Sequence, residues 1–162
     1  MRTDPDPKLR SLGHVVLNVT SLARSVPYYT KVLGLRPVGR LDRKLKATVG
    51  DIVFLSFGNN HHDVGLREVA TRAAGGAVSN SAPGLFHVAF SIGTTLDELR
   101  SFKRHLGDLG VTILRVVDHR VCQSIYFLDP DGIVIEAYVG IDPGIGADDT
   151  SYVATSQPLQ LD

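Results

Sequence analysis

Three residues have the types and placement to do chemistry together. His14 and His87 open similar apolar segments, Gly13-His14-Val15-Val16-Leu17 and Phe86-His87-Val88-Ala89-Phe90, and Glu136 sits inside a third, Ile133-Val134-Ile135-Glu136-Ala137. Two imidazoles and one carboxylate can hold a divalent metal and leave positions open on it. A polar group in a strand that reads as buried is expensive unless something compensates it, and one ion would compensate all three. Alone, either histidine reads better as a core imidazole satisfied by a neighbour than as a ligand. Glu136 alone reads as a charge that protects a sheet edge.

An internal repeat favours the metal. The shift that lays His14 on His87 also lays Val15 on Val88, Ile52 on Ile125 and Phe54 on Phe127. Each half starts with an alternating strand, 12–19 and 86–92, followed by an amphipathic helix. The first helix spans about Ser21 to Leu33, with Leu22, Val26, Tyr29 and Leu33 as its apolar stripe, Pro27 as a source of a kink or late start, and Gly34 as its stop. The second spans about Leu96 to Leu109, with Thr95 and Glu98 spaced as a capping box and Gly110 as the stop. Three strand-like runs follow each helix: 36–41, 44–57 with a turn at Gly50-Asp51, and 61–69 in the first half; 111–117, 121–128 and 133–139 in the second. The fold expected is therefore α+β, with two tandem βαβββ modules curling into a cup-shaped, incompletely closed β-barrel with its helices outside.

Residues 1–162 are read as one domain: module 1 at about 11–69, a linker at 70–84 rich in Ala, Gly, Ser and Asn, module 2 at 85–139, and a tail at 140–162. Strand parity puts His14, Val16 and Asn18 on one face and Val15, Leu17 and Val19 on the other. His87, Ala89 and Ser91 likewise oppose Val88, Phe90 and Ile92. The wholly apolar face belongs under the helix, and the histidine face lines the cup.

Composition narrows the function class. Seventeen basic and seventeen acidic residues cancel, and no dense Lys/Arg run makes a case for nucleic acid or an anionic membrane. A single cysteine, Cys122, excludes an intrachain disulfide. No secretion signal and no apolar run of membrane-spanning length is evident, so a cytoplasmic protein with a small-molecule partner is expected.

With these residues in place, the chain resembles the vicinal oxygen chelate superfamily over about Ser11 to Val139. Gly13-His14-Val15-Val16-Leu17-Asn18-Val19 with Tyr28-Tyr29-Thr30-Lys31-Val32-Leu33-Gly34-Leu35 is similar to its opening signature. Tyr126-Phe127-Leu128-Asp129-Pro130-Asp131-Gly132-Ile133-Val134-Ile135-Glu136 is similar to its closing one. His62-Asp63-Val64-Gly65-Leu66 further resembles the extradiol dioxygenase segment that carries the acid/base histidine. Asp118-His119 and Tyr126 resemble the histidine and tyrosine that precede the glutamate ligand, and Tyr126 stands ten residues before Glu136, the family's spacing. The resemblance implies an Fe(II)-dependent extradiol ring-cleaving dioxygenase acting on a small aromatic diol and O2. His14, His87 and Glu136 would hold Fe(II), His62 would move protons, and Tyr126 and His119 would orient the diol. A homo-oligomer is expected by analogy alone.

Two other readings stay open. One is a glyoxalase-type lyase or epimerase using Mn, Ni, Zn or Co, with Asp63 taking part, because the repeat shift lays Asp63 on Glu136. The other is a protein that sequesters an aromatic compound in the cup without chemistry. Regular pleating places His61, not His62, on the cup face. The family resemblance prefers His62, and a strand's first residue need not obey the pleat. His119 and Tyr126 also read as a surface-loop imidazole and a strand aromatic, His105 as solvated on the second helix, and Cys122 as a small buried hydrophobe. The Asp129-Pro130-Asp131-Gly132 run reads as only a turn.

Overall fold

The computed structural model describes residues 11–42, 50–69, 83–140 and 156–162. The chain divides into two units, Met1–Ala70 and Thr71–Asp162. In the first, β1 (Val15–Val19), α1 (Leu22–Leu33), β2 (Arg36–Leu41), β3 (Ile52–Ser56) and β4 (Val64–Glu68) form a sheet of order β1-β4-β3-β2. In the second, β5 (Val88–Gly93), α2 (Leu96–Asp108), β6 (Ile113–Asp118), β7 (Gln123–Leu128) and β8 (Val134–Val139) repeat that plan. There β9 (Gln157–Pro158) adds a fifth strand, giving β5-β8-β7-β6-β9. Each unit is thus the expected βαβββ module, and neither sheet closes on itself. The first strand of each pairs in parallel with the last, and the remaining pairs within each module are antiparallel.

The helices form where capping chemistry and apolar spacing agree. Thr95 and Glu98 make the full capping box on α2. α1 starts differently: Ser21 makes no side-chain cap, and Glu68 Oε2 instead accepts the Leu22 N–H at 2.7 Å. A carboxylate there satisfies an otherwise orphaned donor and complements the helix dipole. α1 continues through exposed Pro27 without interruption and ends at Gly34, whose φ of 70° closes the last turn. Its buried stripe is Leu22, Ser25, Tyr29 and Val32; the expected Val26 and Leu33 are only half-buried.

Each helix covers one sheet face. Leu17, Val19, Leu55, Val64, Leu66 and Tyr29 make the core of the first unit. Phe90, Leu99, Leu106, Ile125, Phe127, Ile135, Ala137 and Val139 make that of the second, at roughly 1.5–3 kcal/mol for each large side chain removed from water. His14, Val16 and Asn18, and Ala89 and Ser91, lie on the opposite, open faces and are exposed, as parity required.

Boundaries differ from expectation in ways that matter for the site. β1 and β5 begin at Val15 and Val88, so both histidines stand one residue before their strands and neither lies inside one. His14 is exposed and His87 half-buried, so the burial argument applies in full only to Glu136, 6% exposed. β4 begins at Val64, which leaves His61 and His62 in the preceding turn. The C-terminal stretch is more than a tail: β9 pairs with β6, and Leu161 is buried. Most of the expected linker, residues 1–9, the start of the expected 44–57 strand and residues 141–155 lie outside the described residues. No helix among those described is long and apolar enough to cross a membrane.

Candidate active site

The second unit gathers most of the candidate residues on its open face. The turn Asp129-Pro130-Asp131-Gly132 sets the register: Asp129 Oδ1 accepts the N–H groups of Asp131 (2.9 Å) and Ile133 (2.7 Å), and Gly132 takes a φ of 81°. That hairpin lays Tyr126 opposite Glu136 and Ser124 opposite Tyr138, while β5 lays Ala89 opposite Glu136. His87 Nε2 consequently lies 2.9 Å from Glu136 Oε2, and its ring meets that of Tyr126 edge-on at 5.7 Å.

The β6–β7 turn brings in His119. Asp118 Oδ1 accepts from the Arg120 N–H (2.7 Å) and Gln123 Nε2 (3.2 Å), and Arg120 adopts a φ of 67°, rare for a residue with a Cβ. So held, His119 Nε2 reaches the Tyr126 hydroxyl at 3.0 Å. Burial, and then the hydrogen-bonded Glu136 carboxylate beside it, push the Tyr126 phenol up to about 12, so it stays protonated at neutral pH. Burial likewise pushes the Cys122 thiol up.

The first unit arranges its histidines differently. His62 is half-buried between the rings of His14 (4.5 Å) and Phe54 (4.8 Å), both on the open face, while His61 is exposed with its Nδ1 2.8 Å from that of His62. Phe54 and Gly65 are paired across β3 and β4. His62 thus shares the open face with His14, contrary to regular pleating, because the turn before β4 releases it from the strand's alternation.

Asp63 does not take the place of Glu136. The constant repeat shift aligns them, but the register of β1 with β4 sets Val16 against Gly65 where the second unit sets Ala89 against Glu136. The loops before the last strands differ in length, and the alignment slips by two residues. A Cβ on Gly65 would already stand 3.1 Å from Val16 Cγ2, so bulk that Glu136 supplies in one unit is supplied by Val16 in the other. Asp63 is committed to the loop: Oδ2 accepts the Phe57 N–H at 2.8 Å and Oδ1 accepts Asn60 Nδ2 at 2.7 Å. Burial acts to raise its pKa, but these bonds outweigh it and hold the carboxyl below the usual carboxylate range.

Among the described residues no three His, Cys, Asp or Glu side chains are gathered around one point. The donor pair of the second unit nonetheless fits a divalent ion. Neighbouring ligands on a six-coordinate ion with bonds of about 2.1 Å lie about 3 Å apart, the spacing of His87 Nε2 and Glu136 Oε2. His87 Nδ1 is buried without a hydrogen-bond partner among the described residues, so the ring retains unused donor capacity.

Sequence reasoning missed two neighbours. Ser124, fully buried, donates to Glu136 Oε1 at 2.6 Å, and the Arg115 guanidinium lies 4.1 Å over the Tyr126 ring. The signal for Ser124 was available, since it lies two residues from Tyr126 and so on the same face. Arg115 was hidden by a bulge in β6 between Ile113 and Arg115 that resets parity.

Residues 11–137 match the Glyoxalase/Bleomycin resistance protein/Dioxygenase superfamily. The chain is 31% identical over 128 residues to catechol-2,3-dioxygenase of Bacillus subtilis strain 168, covering 78% of this chain but only 40% of that protein. It is 30% identical over 133 residues to glutathione transferase FosA of Serratia marcescens, covering 82% of each. Its fold is similar to a glyoxylase/bleomycin resistance protein/dioxygenase domain from Frankia sp. EAN1pec, with a TM-score of 0.68, 22% identity, and coverage of 84% of this chain and 96% of that one. The chain belongs to the glyoxalase/bleomycin resistance protein/dioxygenase superfamily.

Proposed function

We propose that the protein is an Fe(II)-dependent extradiol dioxygenase that opens the ring of a catechol-type diol beside its hydroxyls. The observation that carries this reading is the hydrogen bond between His119 Nε2 and the Tyr126 hydroxyl, 3.0 Å long, on the same open face as the His87–Glu136 pair. A metal-binding pair alone suits several reactions. A protonated phenol held beside it by an imidazole suits one that must bind and polarise a diolate oxygen.

His87 and Glu136, with His14 as the third donor by its equivalence to His87, would hold the metal; Mn, Ni, Zn or Co are the alternatives. When bound, Fe(II) supplies the coordination positions at which diolate and dioxygen meet and the electrons that couple them. The remaining work falls to the protein. His62 would take a proton from a diol hydroxyl as the diol binds and return one to a product oxygen, work suited to an imidazole that can both accept and donate a proton. Donation from His119 Nε2–H into Tyr126 Oη would brace the phenol, whose proton is turned to the Glu136 carboxylate and would pass to a substrate oxygen when the diol binds.

The test is oxygen uptake by protein reconstituted anaerobically with Fe(II) and then mixed with catechol or 2,3-dihydroxybiphenyl in air. A yellow ring-opened product and matched oxygen consumption are expected, and neither across a panel of diols would overturn the reading. The similarity to FosA over 82% of both chains supports a second reading, metal-dependent thiol transfer. Thiol consumption with Mn(II), glutathione and fosfomycin, in the absence of diol cleavage, would favour it.

A further inference from the structure

Besides its hydrogen bond from the Tyr126 hydroxyl, the Glu136 carboxylate has two oxygens with different partners. Oε2 lies beside His87 Nε2 at 2.9 Å, while Oε1 accepts the Ser124 hydroxyl at 2.6 Å. Both ends of the second contact are shielded, Ser124 at 0% and Glu136 at 6% exposure. That length is characteristic of a hydroxyl donating to an ionised carboxylate, the stronger class of hydrogen bond. Ser124 has one proton to donate. Its other neighbour, Cys122 Sγ at 3.8 Å, is a weak acceptor, so Glu136 is the dominant claimant for that proton. The backbone locks the arrangement, because the β7–β8 ladder pairs Ser124 with Tyr138 and Tyr126 with Glu136, setting the serine diagonally across from the carboxylate.

We propose that Ser124 is the positioning residue for the metal's carboxylate ligand: by holding Oε1 it leaves Oε2 to the ion and fixes Glu136 as a one-oxygen ligand beside His87. This inference rests on the metal-site reading above. A ligand carboxylate without such a partner is free to rotate or to chelate through both oxygens, which changes both the affinity and the number of positions left open for substrate.

The test is Co(II) titration of the full chain and of Ser124→Ala by calorimetry and by visible absorption, alongside thermal melting of both metal-free proteins. The expected result is a Kd about 10–100-fold weaker for Ser124→Ala and, at saturating Co(II), a changed ligand-field spectrum as Oε1 is released. The spectrum at saturation reports on folded, metal-loaded protein even if the variant melts lower. Equal affinity together with an identical spectrum would overturn the role of Ser124. Failure of the wild-type chain to bind Co(II) would instead overturn the metal site itself, and the role of Ser124 with it.

Discussion

The two units share a backbone plan and differ in what each puts on its open face. In the second, the histidine before the first strand meets a buried carboxylate from the last strand, and a Tyr–His pair flanks them. In the first, the equivalent histidine meets another imidazole, His62, and the register position of Glu136 is taken by Gly65 packed under Val16. Asp63, the carboxylate that the repeat shift offers in its place, serves its own loop. A duplicated module can thus keep its ladder while changing the chemistry of its open face: one copy presents a histidine–carboxylate pair, the other a pair of imidazoles.

Five substitutions would break or sharpen that contrast. The largest effect is expected from Glu136→Ala, which removes the carboxylate ligand and leaves Ser124 and His87 without their partner. Metal should be lost on gel filtration and turnover fall below detection, as read by metal analysis and oxygen uptake. Next is His62→Ala, which should keep its metal and lose about 10²–10⁴-fold in kcat, the range for removing a general acid–base. His61→Ala should stay near wild type, and the reverse pattern would reassign the role between the two. Tyr126→Phe should cost about 1.5–3 kcal/mol, or 10–100-fold in kcat/KM, as expected for a hydrogen bond to a charged oxygen.

The smallest effect is expected from Asp63→Ala, which should lower stability by about 1 kcal/mol through lost loop hydrogen bonds while leaving metal affinity unchanged. Its sign with pH is set by the lowered pKa. Binding fewer protons folded than unfolded, Asp63 stabilises the fold above its unfolded-state pKa, and this is lost as pH falls through the folded-state value. The gap in melting temperature between wild type and Asp63→Ala should therefore close in acid.

Much of this was legible in the sequence because periodicity and capping are local. The Thr95–Glu98 box, Gly34 and the parity of Leu17 and Val19 against Asn18 are each read within one element and are found in the structure. What failed was non-local. The constant shift misaligned Asp63 with Glu136 because register depends on loop length and strand pairing, which a one-dimensional alignment does not see. The same limit hid Arg115 behind its bulge, and it was the family resemblance and not the pleat that put His62 on the open face, since pleating says nothing about a residue in a turn. Ser124 was placed by parity on the face of Tyr126, but its role stayed hidden because a serine announces no chemistry until its partner across the ladder is known.

The central claim is that His14, His87 and Glu136 serve one metal ion although they come from two modules. The direct measurement is metal stoichiometry after reconstitution and desalting for wild type, His14→Ala and Asp63→Ala. One Fe(II) or Mn(II) per chain is predicted for wild type and Asp63→Ala, and none for His14→Ala. Full retention by His14→Ala, or loss by Asp63→Ala, would contradict the account.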